Sequence, residues 1–195
     1  MISSSVSNKS WIFKEYNDQD VLFYKENYSL DEITSKLLSI RKIKKEDVQA
    51  FLSPSIKNFL PNPAIISDME KSVKRTMQAI TNKHKIGIFG DYDVDGASAT
   101  ALLANFFSKI NISHEIYIPD RKTEGYGPSI ESIKKLIDNG VKLIFTVDCG
   151  TLSFDAIEFA FRNKIDVIIL DHHQSEVKLP KAHSVVNPNR LDDKS

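Results

Sequence analysis

The chain has 195 residues, room for one good core or one and a half domains, and 41% of them are hydrophobic, as expected of a soluble globular protein. Lysine plus arginine equals aspartate plus glutamate at 26 each, so overall charge selects no partner. The single cysteine, Cys149, excludes an internal disulfide, the start MISSSVSNKSW lacks an apolar signal core, and no apolar run nears membrane-spanning length. A cytoplasmic protein with no membrane partner is the expectation.

Charge is unevenly spread. Residues 1–85 carry 14 basic and 10 acidic side chains, whereas residues 86–195 carry 12 and 16. The acidic second half argues against simple electrostatic nucleic-acid binding there, although bound cations could meet a phosphate.

Residues 1–28 show no clean period, and partial disorder is expected at their start. Ser29 followed by Glu32 resembles a capping box ahead of a helical stripe, Ile33, Leu37, Leu38 and Ile40. A short helix is predicted near Lys45 to Leu52, stopped by SPS, and LPNPAIISD reads as a proline-rich connection. Ser67 or Asp68 then caps a helix bearing Met69, Val73, Met77 and Ile80. From residue 84 the pattern changes. Apolar runs at Lys85–Phe89, Glu115–Ile118, Val141–Val147 and Ile165–Leu170 alternate with helical periods at Ala97–Ile110, Ser129–Asn139 and Ser153–Asn163. This alternation predicts an α/β fold with a parallel sheet of at least four strands, flanked by helices on both faces and joined by right-handed crossovers. The expected domains are a helical N-terminal region, 1–83, and an α/β domain, 84–195.

The chemistry-bearing motifs follow strands. GDYDVDG places Asp91, Asp93 and Asp95 after the first strand, VDCG places Asp148 after the third, and DHH places Asp171, His172 and His173 after the fourth. The carboxyl ends of parallel strands share one edge, where ligands bind. A lone Asp-x-Asp-x-Asp-Gly is as often a solvated turn. It is not a calcium loop, because the twelfth position counted from Asp91 is Leu102 where glutamate is needed. An aspartyl phosphatase element remains a rival through Asp93 and Asp95, but Ala97 stands where Thr or Val is required, and both histidines go unused. Carboxylates with imidazole and no thiolate suit Mn²⁺, Mg²⁺ or Zn²⁺, with a lean to Mn²⁺. Crowded carboxylates stay ionised only if cations compensate them, and two ions would also activate water for attack on phosphorus.

In this order and on these strand ends, DYDVDG, VDCG and DHH resemble motifs I to III of the DHH phosphoesterase superfamily. The chain is most similar to its RecJ family of 5′→3′ single-strand-specific DNA exonucleases. FLSP, SDMEKSVKRTMQAI, IFGDYDVDGASATALL, IPDRKTEGYGPS, TVDCGT and ILDHH…LPKAHSVVNP recur in that family's order, over roughly residues 37 to 188. The resemblance implies metal-dependent phosphodiester hydrolysis of single-stranded DNA, in repair and recombination, with two Mn²⁺ or Mg²⁺ ions in the complete enzyme. By position, Asp93 and Asp95 match the motif I ligands, Asp148 the bridging motif II carboxylate and His172 the metal-binding histidine. His173 would face the ions or the scissile phosphate, Asp171 would orient the imidazoles, and Asp91 would support its turn.

The family also has a motif IV aspartate downstream, a second core domain and an OB-type domain, and this chain ends at Ser195 before any equivalent. The resemblance therefore implies a fragment or truncated relative. A DHH enzyme acting on a small nucleotide or pyrophosphate, and an inactive metal-binding fragment, stay open as alternatives. In RKTEGYG, Arg121 is the expected phosphate contact, and Tyr126 could stack on a base or simply pack. His84, His114 and His183 fall away from the site edge, Cys149 reads as a small buried filler, and RKIKKED as a solvated helix face. A monomer is expected, and no motif names a protein partner.

Overall fold

The computed structural model describes residues 9, 10 and 12–195, so the expected disorder at the very start lies outside the described residues. The chain divides into two compact units, Met1–Pro61 and Asn62–Ser195.

In the first unit, α1 (Asp18–Tyr28) packs on α2 (Glu32–Ile40), followed by a 3₁₀ turn at Lys45–Asp47 that runs into α3 (Val48–Leu52), and by α4 (Ile56–Phe59). Tyr24, Leu38 and Val48 form its core, and the Tyr24 hydroxyl donates to the Ile43 carbonyl at 2.8 Å. Helix α1 was hidden in the sequence because its apolar residues do not keep to one face: Val21 and Tyr24 are buried while Leu22 is exposed. Ser29 does not open the next helix. It closes α1 in the left-handed conformation (φ 52°), and Asp31 caps α2, its carboxylate accepting the Thr34 amide at 2.9 Å.

The second unit opens with a 3₁₀ turn at Pro63–Ile65, then α5 (Met69–Thr81), and continues as β1 (Ile86–Gly90), α6 (Val94–Lys109), β2 (His114–Tyr117), α7 (Ile130–Asp138), β3 (Leu143–Val147), α8 (Phe154–Arg162), β4 (Asp166–Leu170) and β5 (Ser184–Val186). Among the described residues these strands form one sheet in the order β2-β1-β3-β4-β5, with every pair parallel. Ile88 pairs with Phe145, and Phe145 with Ile168, so these three side chains share a face. On one face Ile86, Ile88, Leu143, Phe145 and Ile168 meet Ala79 of α5 and Phe107 of α6. On the other, Ile144, Val167 and Ile169 meet Ile133 and Leu136 of α7 and Ile157 of α8. Each fully buried side chain of this size contributes about 1.5–3 kcal/mol.

One feature differs from the sequence expectation, and one strand adds to the four it marked. Helix α5 belongs to the α/β unit instead of to a separate region ending at residue 83. Its Ala79 enters the sheet's core, and its Ser72 and Ser184 of β5 bond through their hydroxyls at 2.7 Å. The fifth strand, only three residues long, carries too few positions to declare a period. The order 2-1-3-4-5 places a topological switch between β1 and β3, where the chain leaves the two strands in opposite directions and opens a crevice. No helix among the described residues is long and apolar enough to cross a membrane.

Candidate metal centre

The end of β1 turns abruptly into α6. Asp93 is the N-cap, its Oδ1 accepting the Gly96 amide at 2.9 Å, and this bond is the main reason its carboxyl sits below the usual range. Gly96 is there for space. A Cβ on it would lie 2.5 Å from the Asp91 carbonyl oxygen, so only glycine lets the helix start against that turn. Asp91 is buried and its Oδ1 accepts the Tyr92 amide at 2.8 Å.

Across the switch point, Asp148 follows β3 with φ +61°, a left-handed conformation that costs a non-glycine residue about 1–2 kcal/mol. The conformation turns its carboxylate to the sheet edge, where Oδ1 lies 2.9 Å from Nε2 of His172. Its Oδ2 is buried with no hydrogen-bond partner. Burial first, then a side-chain hydrogen bond with Asp93 and the charge of that carboxylate, raises the Asp148 carboxyl above the usual range. A buried carboxylate oxygen left without a donor, beside a second carboxylate, is a poor arrangement unless a cation, or a proton shared between the two carboxyls, completes it.

Asp171, at the end of β4, works inward. Its Oδ1 accepts the backbone amides of His172 (2.8 Å) and His173 (3.1 Å) and the Nδ1 proton of His173 (2.8 Å), and its Oδ2 accepts the Thr151 amide (3.0 Å). Burial alone would raise this carboxyl, but the bonds from Thr151 and His173 together outweigh it and hold the pKa low. In return, the bond to Asp171 raises the His173 pKa. With Nδ1 engaged, Nε2 of His173 is left for a ligand.

Two donor groups have ligand atoms within 4.8 Å of one another: Asp91, Asp93 and Asp148, and Asp148, His172 and His173. Asp148 belongs to both. The structure thus brings together Asp91, Asp93, Asp148, His172 and His173. Asp95 is not in either group. It sits exposed in the first turn of α6, on the rim of a cavity of about 540 Å³ that Asp148, Asp171 and His172 also line. The donor set suits a divalent cation, and the orphaned Oδ2 of Asp148 is the observation that fits one.

The RKTEGYG loop reaches the same edge. The Tyr126 hydroxyl donates to the Asp148 carbonyl at 3.1 Å and lies 3.3 Å from Nδ1 of His173, while its ring stands edge-on to the imidazole at 5.8 Å. Arg121 is exposed, its guanidinium 5.3 Å over the Tyr92 ring. Cys149 is buried and its thiol pKa is pushed up by that burial, which fits a filler. Sequence reasoning did not single out Asn187 and Asn189, just after β5. Asn187 is fully buried and donates to Thr151 Oγ1 (3.0 Å) and the His173 carbonyl (2.9 Å), and Asn189 donates to the His172 carbonyl. The available signal was NPN following an apolar VV, which marks a turn at the same edge.

Fold and site define an open parallel α/β domain whose strand ends gather carboxylates and imidazoles that could hold divalent cations. The model of the DHH family, N-terminal domain, matches residues 85–195, and the chain belongs to this family. The single-stranded-DNA-specific exonuclease RecJ of Bacillus subtilis (strain 168) is 31% identical over 185 residues, covering 94% of this chain and 23% of that protein. RecJ of Haemophilus influenzae is 38% identical over 139 residues, covering 71% and 24%. The chain therefore spans about a quarter of the length of these curated relatives. Among solved structures, exonuclease RecJ bound to manganese matches with TM-score 0.61 and 27% identity, covering 67% of this chain and 33% of that one. RecJ of Thermus thermophilus in complex with Mn²⁺ shares the fold, with TM-score 0.66 at 19% identity, covering 91% and 24%.

Proposed function

We propose that this chain carries the metal-binding half of a 5′→3′ exonuclease site for single-stranded DNA, and that Mn²⁺ or Mg²⁺ is its cofactor. The observation that carries the reading is the buried, unpartnered Oδ2 of Asp148, in a residue common to both donor groups. The similarity to single-stranded-DNA-specific exonucleases supports the substrate class. Asp93, Asp148 and His172 are the proposed ligands, with Asp148 shared between two cations. Asp91 is a further candidate by position, and Asp95 reaches the same cavity from its rim. When bound, divalent cations compensate the carboxylates, polarise a phosphoryl oxygen and acidify water.

The protein's part is orientation. Asp171 fixes the tautomer of His173, so that Nε2 faces the open edge as acceptor or, once protonated, as donor to a phosphate oxygen. Tyr126 holds the strained Asp148 backbone through its carbonyl. Arg121, exposed and stacked on Tyr92, is placed to grip a backbone phosphate. A cytoplasmic monomer acting in repair and recombination completes the proposal.

The test is a substrate panel with Mn²⁺: 5′-labelled and 3′-labelled single strands, the matching duplex, a cyclic dinucleotide and pyrophosphate. Mononucleotide release from the 5′ end of single strands alone supports the reading. Hydrolysis confined to the small substrates overturns the DNA assignment, and turnover unaffected by Asp148→Ala overturns the site.

A further inference from the structure

We propose that Asn187 and Asn189 are positioning residues that clamp the DHH turn through its carbonyls, so that both imidazoles keep their places beside Asp148. The proposal rests on the reading of Asp148 and His172 as metal ligands. Strand β4 ends at Leu170, and in the DHH turn that follows, His172 and His173 are exposed. Asp171 holds the backbone amides of both histidines and Nδ1 of His173, but it does not reach their carbonyls.

The carbonyls are held by the segment after β5. This three-residue strand pairs with β4 in register, Leu170 opposite Val186, so the next residue, Asn187, emerges beside the DHH turn. Its amide nitrogen donates to the His173 carbonyl and to Thr151 Oγ1, while its Oδ1 accepts the Asn189 amide at 2.8 Å. The Asn189 side chain then takes the His172 carbonyl. Thr151 in turn gives its amide to Asp171. One buried asparagine thus joins the turn bearing Asp148 to the turn bearing both histidines. An asparagine is required by the chemistry. The two donors and one acceptor it uses are on a single planar amide, whereas aspartate has no donor and would set a charge against a carbonyl oxygen.

Residues that orient metal ligands typically cost about 10–100-fold in metal affinity when removed. The experiment titrates the metal-free chain with Mn²⁺ for wild type, Asn189→Ala, Asn189→Asp and Asn187→Asp, with Asp148→Ala as the control that removes the site. Circular dichroism and apo melting accompany each titration. Asn189 is exposed, so its variants are expected to fold with unchanged apo melting. Both Asn189 variants are expected to bind Mn²⁺ about tenfold or more weakly. The nearly isosteric aspartate failing alongside alanine identifies the lost donor as the cause, which a space-filling role would not produce. Wild-type affinity in Asn189→Ala or Asn189→Asp overturns the proposal while leaving the metal site standing. No saturable Mn²⁺ binding by the wild type, or binding equal to that of Asp148→Ala, overturns the site reading and the clamp with it.

Discussion

Nε2 of His172 lies 2.9 Å from Oδ1 of Asp148, although the two residues leave different strands and are 24 positions apart. The contact exists because β3 and β4 are parallel neighbours, Val147 opposite Leu170, so each strand's next residues exit at the same edge. Asp148 meets Asp93 by the same logic across the β1–β3 pair, Gly90 opposite Val147. The sheet's register assembles the site.

Asp148 is held against its own preference, and neutralising it should show this. Asp148→Asn keeps a side chain that tolerates positive φ and removes a buried charge facing Asp93. The metal-free variant is expected to be more stable by about 0.5–2 kcal/mol at neutral pH. A carboxyl raised in the folded state destabilises only when ionised. The gain is therefore complete above its folded pKa and fades as pH falls through that pKa toward the ordinary carboxylate range. Denaturant melts of the metal-free chain at neutral and acid pH check both halves, and a loss of stability at neutral pH contradicts the expectation.

The Asp171–His173 pair should titrate as a unit. His173 is raised first by its bond to Asp171, so its contribution is full below the ordinary histidine value, about 6.5, and is lost as pH rises through the raised one. The depressed Asp171 contributes above the ordinary aspartate value, about 3.9, and loses its effect as pH falls through the folded one. The metal-free chain is thus best held between the two. Nuclear magnetic resonance titration of the His173 ring should give a value above the ordinary one in wild type, returning toward it in Asp171→Asn.

Gly96→Ala should destabilise, against the usual rule. In an ordinary helix the change gains about 1 kcal/mol. Here the added Cβ meets the Asp91 carbonyl oxygen at 2.5 Å and the Asp91 Cβ at 2.6 Å, both on a buried turn that cannot withdraw. Steric insertion of this kind costs about 1–3 kcal/mol, so the clash wins. Urea denaturation of the metal-free variant reads the sign.

Arg121→Ala should weaken binding of single-stranded DNA across sequences and reduce the slope of log affinity against log salt by about 0.7, the value for one lost phosphate contact on a single strand. Fluorescence anisotropy at several salt concentrations measures it. An unchanged slope removes Arg121 from the proposed contacts.

Much of the α/β unit was legible because its strands are β-branched runs buried on both faces, as in Ile144 and Ile169 against Leu143 and Ile168. Ser129 and Asn139 bracketed α7 as its observed caps. Strand order was not legible, and with it went the reason Asp148 lies between Asp93 and His172, since register joins residues that no local pattern connects. Spacing alone does not separate Asp91 from Asp95, each two residues from Asp93: α6 begins between Asp93 and Asp95, so Asp95 lines the cavity beside Asp148 and His172 while Asp91 groups with Asp93 and Asp148. Helix α1 and strand β5 were missed for opposite reasons, the first having apolar residues on no single face and the second too few residues for any period. The clamp by Asn187 and Asn189 depends on that missed strand.

The proposed divalent-cation centre at the carboxyl ends of β1, β3 and β4 is tested most directly by anomalous diffraction at the manganese edge, from crystals grown with Mn²⁺. The expected result is a peak bounded by Asp93, Asp148 and His172, with Oδ2 of Asp148 among the ligands. Manganese bound elsewhere, with Oδ2 of Asp148 still unpartnered, would contradict it.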